Sequence, residues 1–86
     1  MPKLPRAGGK NHIAAFKRAG WLENHIEGSH HILVKAGNPV HLSIPVHADR
    51  DLGVGLLRKL IDKAGMTQKE YCAYFQSGKI KIPADV

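Results

Sequence analysis

Acidic residues are missing from the first quarter of this chain. Residues 1–22 carry Lys3, Arg6, Lys10, Lys17 and Arg18 with neither Asp nor Glu. Cysteine is almost absent as well. The single Cys72 excludes an internal disulfide and every paired-cysteine metal motif, and such sparing use of cysteine fits a reducing cytoplasm. No apolar run approaches the ~20 residues that a membrane-spanning helix needs. The basic N-terminus also lacks the apolar stretch of a signal peptide, so a cytoplasmic protein without membrane contact is expected. Internal repeats and low-complexity stretches are missing too. At 86 residues there is room for a single domain over 1–86, with roughly 60–65% of the unfolded surface buried and therefore a thin core.

What the chain does have is positive charge and histidine. Thirteen Lys and Arg against seven Asp and Glu leave a formal charge of +6, which suits a polyanionic partner such as nucleic acid or an acidic protein surface. The charge is uneven. Basic flanks enclose a central segment, residues 23–51, that holds Glu23, Glu27, Asp49 and Asp51 and five of the six histidines.

Hydrophobic periodicity gives the order of elements. Ile13, Phe16 and Ala19 recur at helical spacing, so a first helix is expected from about Gly9 to Ala19, preceded by an extended arm at 1–8 and closed by Gly20. Leu22 to Glu27 switches to period two, with Leu22 and Ile26 on one face and Glu23, His25 and Glu27 on the other. Gly28-Ser29 is a turn. His30 to Ala36 is a second strand, and after Gly37-Asn38 a third alternates through Val40, Leu42, Ile44 and Val46. Pro45 cannot donate to a ladder, so this strand lies at an edge or ends there. Leu56, Leu57, Leu60, Ile61 and Ala64 form the apolar stripe of a second helix, ended by Gly65. Thr67 to Glu70 spells a capping box with Met66 and Tyr71 as its staple, for a short third helix at 66–76 before a tail at 77–86. The expected fold class is α+β, an αβββα core at about 9–65. Its three-stranded antiparallel sheet has two helices on one face and leaves the other open.

Several residues are candidates for chemistry. His25, His30, His31, His41 and His47 fall on or beside three adjacent strands, and imidazole is the side chain whose ordinary pKa suits proton transfer near neutral pH. In Gly28-Ser29-His30-His31 a turn presents two imidazoles at a strand start. Metal ligation with Glu23, Glu27 or Asp49 lacks any recognised spacing, so no metal or other cofactor is expected. Ser29 beside His30 has no nucleophile elbow around it, and Cys72 sits in aromatic company that favours inert packing. Gly8-Gly9-Lys10 lacks the strand and the hydroxyl residue of a phosphate loop and reads as a helix start. Arg58, Lys59 and Lys63 form a basic ridge that is either a solvated face or an RNA-backbone contact.

A wider pattern joins these pieces. It comprises Ala19-Gly20-Trp21, Gly28-Ser29-His30-His31-Ile32-Leu33, Ile44-Pro45-Val46-His47, and the run from Asp51-Leu52-Gly53-Val54-Gly55 through Leu60-Ile61-Asp62-Lys63-Ala64-Gly65. In order and spacing it resembles the HicA (YcfA-like) mRNA interferase toxins of bacterial toxin–antitoxin systems. The resemblance implies a double-stranded-RNA-binding-domain-like αβββα fold, an endoribonuclease acting on mRNA, and a HicB-like antitoxin partner. It implies a catalytic histidine at His30, with His31 in competition because some members place it one position later, and a supporting His47. Leu56 stands where the family usually has Thr, which removes a possible cap and phosphate contact.

RNA cleavage needs only a proton acceptor for the 2′-OH, a donor for the leaving 5′ oxygen, and positive charge at the phosphate. His30, with His31 or His47, fits the first two tasks, and Lys10, Arg58 and Lys59 fit the third. The alternative is a module that binds RNA without cutting it, which needs the basic side chains but no particular imidazole.

Overall fold

The structure, a computed structural model, describes residues 4–48 and 50–77. The order is α1 (Gly9–Arg18), β1 (Leu22–Glu27), β2 (His30–Lys35), β3 (Asn38–Pro45), α2 (Val54–Lys63) and α3 (Gln68–Ser77). The strands form one antiparallel sheet in the order β1-β2-β3. This is the expected αβββα layout with a further helix. The expected tail lies, beyond Ser77, outside the described residues, as does Asp49.

Both core helices stop by the same device. Trp21 N–H bonds the Phe16 carbonyl and Gly20 N–H that of Lys17, while Met66 and Gly65 repeat the pattern on Ile61 and Asp62. These are Schellman motifs, and they need left-handed residues, which Gly20 at φ 102° and Gly65 at φ 74° supply. The capping box also forms: Glu70 N–H donates to Thr67 Oγ1 at 3.0 Å and Thr67 N–H to Glu70 Oε1 at 2.8 Å. Receiving that N–H bond holds the Glu70 carboxyl below its ordinary pKa.

One face of the sheet carries the core. Leu33, Leu42 and Ile44 are fully buried, in one cluster with Phe16 and Trp21 and with Leu57, Leu60 and Ile61 of α2. Leu56, expected in the α2 stripe, is instead exposed. The N-terminal arm is tied down. Leu4 is buried in the core, Leu52 N–H bonds the Ala7 carbonyl, and Gly8 bridges Asp51.

The third helix does more than a short appendage would. At ten residues it equals α1 and α2, and it packs chiefly on α1, sending Tyr71, Cys72 and Phe75 into the core. Phe16 and Tyr71 place their ring centroids 4.8 Å apart. His12 lies fully buried between these helices, its Nδ1 2.5 Å from the Tyr71 hydroxyl. Burial holds this imidazole neutral, its pKa lowered to about 4 against the opposing pull of Asp51 and the Ala7 carbonyl. Burial also pushes the Tyr71 phenol and the Cys72 thiol up, which fits the inert packing expected of the cysteine.

Candidate active site

Adjacent strand residues point to opposite faces, so His30 and His31 cannot share a site on one face of the sheet. Register decides which side each takes. His31 lies opposite Ile26 on β1 and Ile44 on β3, and the fully buried Ile44 fixes this as the helix-covered face. His30 lies opposite Glu27 and Pro45, exposed on the open face.

The first strand departs from the simple alternation expected of it. A bulge between Glu23 and His25 shifts the pairing by one residue. Glu23 opposite Leu33 and Ile26 opposite His31 therefore share the helix side, while Leu22, His25 and Glu27 share the open side.

On the helix side His31 lines a cleft of about 250 Å³ with Glu23 and with Lys10, Ile13, Ala14 and Lys17 of α1. The spacing of 10, 13, 14 and 17 puts these four on one helical face. His31 Nδ1 lies 2.6 Å from Glu23 Oε2, with the two side chains only 17% and 30% exposed. An ionised carboxylate only accepts, so in the neutral ring Nδ1 carries the hydrogen and Nε2 keeps the lone pair.

A second cleft, about 570 Å³, adjoins the first. His47, Arg50 and Asp51 line it beside the start of α1, and Lys10 belongs to both clefts. Gly9 permits this arrangement, since a Cβ there would collide with the Pro45 carbonyl and Val46. Arg58 and Lys59 lie elsewhere. They line a groove with Asp62, Met66, Thr67 and Gln68 that shares no residue with either histidine-bearing cleft.

The open face carries a second imidazole–carboxylate pair, His25 Nε2 to Glu27 Oε2 at 2.6 Å, with the side chains 45% and 70% exposed. Asn24 Nδ2 lies 3.0 Å from the other ring nitrogen. Among the described residues, no three His, Cys, Asp or Glu side chains gather where they could hold a metal ion.

Sequence reasoning named Glu23 only as a candidate metal ligand, missing it as the hydrogen-bond partner of His31, and did not single out Lys17 as lining the same cleft. The seven-residue spacing of Lys10 and Lys17 was available as a signal for one basic face of α1, whereas Glu23 was hidden by the bulge. His12 was also overlooked, although it precedes Ala15, Phe16 and Ala19 by three, four and seven residues on the buried stripe.

The fold and the cleft define a small basic α+β domain with an imidazole–carboxylate pair in a cleft that two lysines also line. The family model for the HicA toxin of bacterial toxin-antitoxin matches residues 9–66, and the chain belongs to that family. Membership implies an antitoxin partner. No curated protein matches the chain. None of the described helices is long and apolar enough to cross a membrane.

Proposed function

We propose that this toxin is an endoribonuclease that cleaves mRNA and that His31 is its proton-transfer group. The observation that carries this reading is the helix-side cleft: of the expected histidines, His31 alone combines a carboxylate partner with the two lysines of α1. In the reaction the 2′-OH loses its proton as its oxygen bonds to phosphorus. The P–O5′ bond breaks, and the leaving oxygen takes up a proton. The products are a 2′,3′-cyclic phosphate and a 5′-OH. His31 Nε2 exchanges one of these protons, and Lys10 and Lys17 stabilise the charge that builds on the phosphoryl oxygens.

A strand that runs on past Lys10 enters the cleft of His47 and Arg50, where the second imidazole waits. Arg58 and Lys59 contact the RNA backbone further away, outside the scissile phosphate's reach. The antitoxin, HicB-like, covers the Lys10–Lys17 cleft with an acidic surface, so antitoxin binding and RNA cleavage exclude each other.

Purified His31→Ala and His30→Ala variants test the assignment on a defined RNA. His31→Ala should lose at least about 100-fold in rate, the usual scale of general acid–base catalysis, while His30→Ala stays within about threefold. Loss in His30→Ala with full activity in His31→Ala would move the role to the open face.

A further inference from the structure

The bulge at the start of β1 has a chemical result. With unbroken pairing back from Ile26–His31, Asn24 would lie opposite Leu33 on the helix side, and Glu23 would fall on the open face with His25 and Glu27. The extra residue exchanges them, so that the carboxylate rather than the amide reaches the helix side. We propose that Glu23 is the positioning residue of His31: it fixes the Nδ1–H tautomer and the ring orientation so that Nε2 serves proton transfer. The proposal rests on the reading of His31 above.

Three observations support it. The 2.6 Å contact joins residues eight apart in sequence across two strands, so both ends are set by the sheet rather than by a flexible loop. The imidazole is also the better-covered partner, at 17% exposure against 45% for His25, so water competes less for it than for the ring on the open face. Finally, Lys10 and Lys17 line the same cleft and offset the carboxylate's charge, which would otherwise repel a phosphate. Glu23 touches His31 and needs no contact with the substrate. A free neutral imidazole favours the other tautomer, with hydrogen on Nε2, and that form cannot accept a proton there. Holding a histidine through its far nitrogen is a general way to keep the reactive nitrogen in the required state.

The similarly sized Glu23→Leu, which has no acceptor, and the shorter Glu23→Asp variants separate orientation from fold. Nitrogen-15 spectra of the His31 ring in wild type should show the Nδ1–H tautomer, and Glu23→Leu should lose it. Cleavage by Glu23→Leu should fall about 10- to 100-fold in kcat, the range seen when an orienting partner behind a histidine is removed, with KM changed less than about threefold. Glu23→Asp should recover part of both. A wild-type ring protonated on Nε2, or a Glu23→Leu protein whose tautomer and kcat match wild type, overturns the proposal. Because the tautomer is read without substrate, it is judged independently of the His31 role. Undiminished cleavage by His31→Ala would defeat that role even where Glu23 sets the tautomer.

Discussion

The two faces of the sheet carry nearly the same pair of groups. On the helix side His31 meets Glu23 at 2.6 Å, and on the open side His25 meets Glu27 at the same distance. Their surroundings differ. The first pair, 17% and 30% exposed, shares a cleft with Lys10 and Lys17, while the second, 45% and 70% exposed, lies on the open side. A highly exposed contact of this kind contributes about 0–1 kcal/mol and orders little, whereas a better-covered hydrogen bond from a neutral ring to a carboxylate can control its tautomer, and neighbouring lysines suit a phosphate. What separates the pairs is the face each occupies, since residue type and contact distance are shared.

The largest expected effect removes one pair at a time. The His25→Ala/Glu27→Ala double variant should cleave RNA within about twofold of wild type, against the loss of about 100-fold or more for His31→Ala. Equal losses would erase the distinction between the faces.

Acid should act on the helix side through a different histidine. His12 is buried and neutral, with its pKa lowered from 6.5 to about 4. The unfolded chain therefore binds a proton that the folded chain refuses. Stability is complete above pH 6.5 and declines as pH falls toward 4, by about 3 kcal/mol from this group. Urea unfolding of wild type and His12→Leu at pH 7 and pH 4.5 checks this. The variant should be less stable at pH 7, having orphaned the Tyr71 hydroxyl, yet should lose less between the two pH values. Parallel losses in both proteins would assign the acid sensitivity to other groups.

A smaller effect concerns RNA affinity. Neutralising Lys10 and Lys17 together should weaken binding of single-stranded RNA and make the log–log salt slope shallower by about 1.4, from two phosphate contacts at roughly 0.7 each. Neutralising Arg58 and Lys59, in their separate groove, should change affinity less. A larger effect from the second pair would move the RNA track to α2.

Local signals made much of this fold legible. Gly20 and Gly65 announced the helix ends, Thr67 and Glu70 announced the cap, and alternation in β3 announced the buried Leu42 and Ile44. The site was legible in part: the adjacent imidazoles and the basic arm and helix stood out as residue types. Other features depended on register and long-range packing. The bulge is a pairing irregularity with no glycine to mark it, so Glu23 was read with the wrong neighbours. His12 bonds a residue 59 positions away, and a pattern within one helix does not name such a partner. α3 has a weak apolar pattern of its own and gains its place by aromatic packing against α1. Replacing Phe16 with Ala at that contact should cost about 3–5 kcal/mol, a large share of what a domain this small holds.

The central claim is that RNA meets the helix-side cleft. Titrating the protein with a 2′-O-methyl RNA oligonucleotide, which lacks the nucleophile and cannot be cut by this route, while following the histidine ring resonances tests it most directly. The account predicts that His31 and His47 shift with saturation while His25 and His41 stay in place. Saturable shifts of His25, His30 and His41 with His31 unmoved would put the RNA on the open face and contradict it.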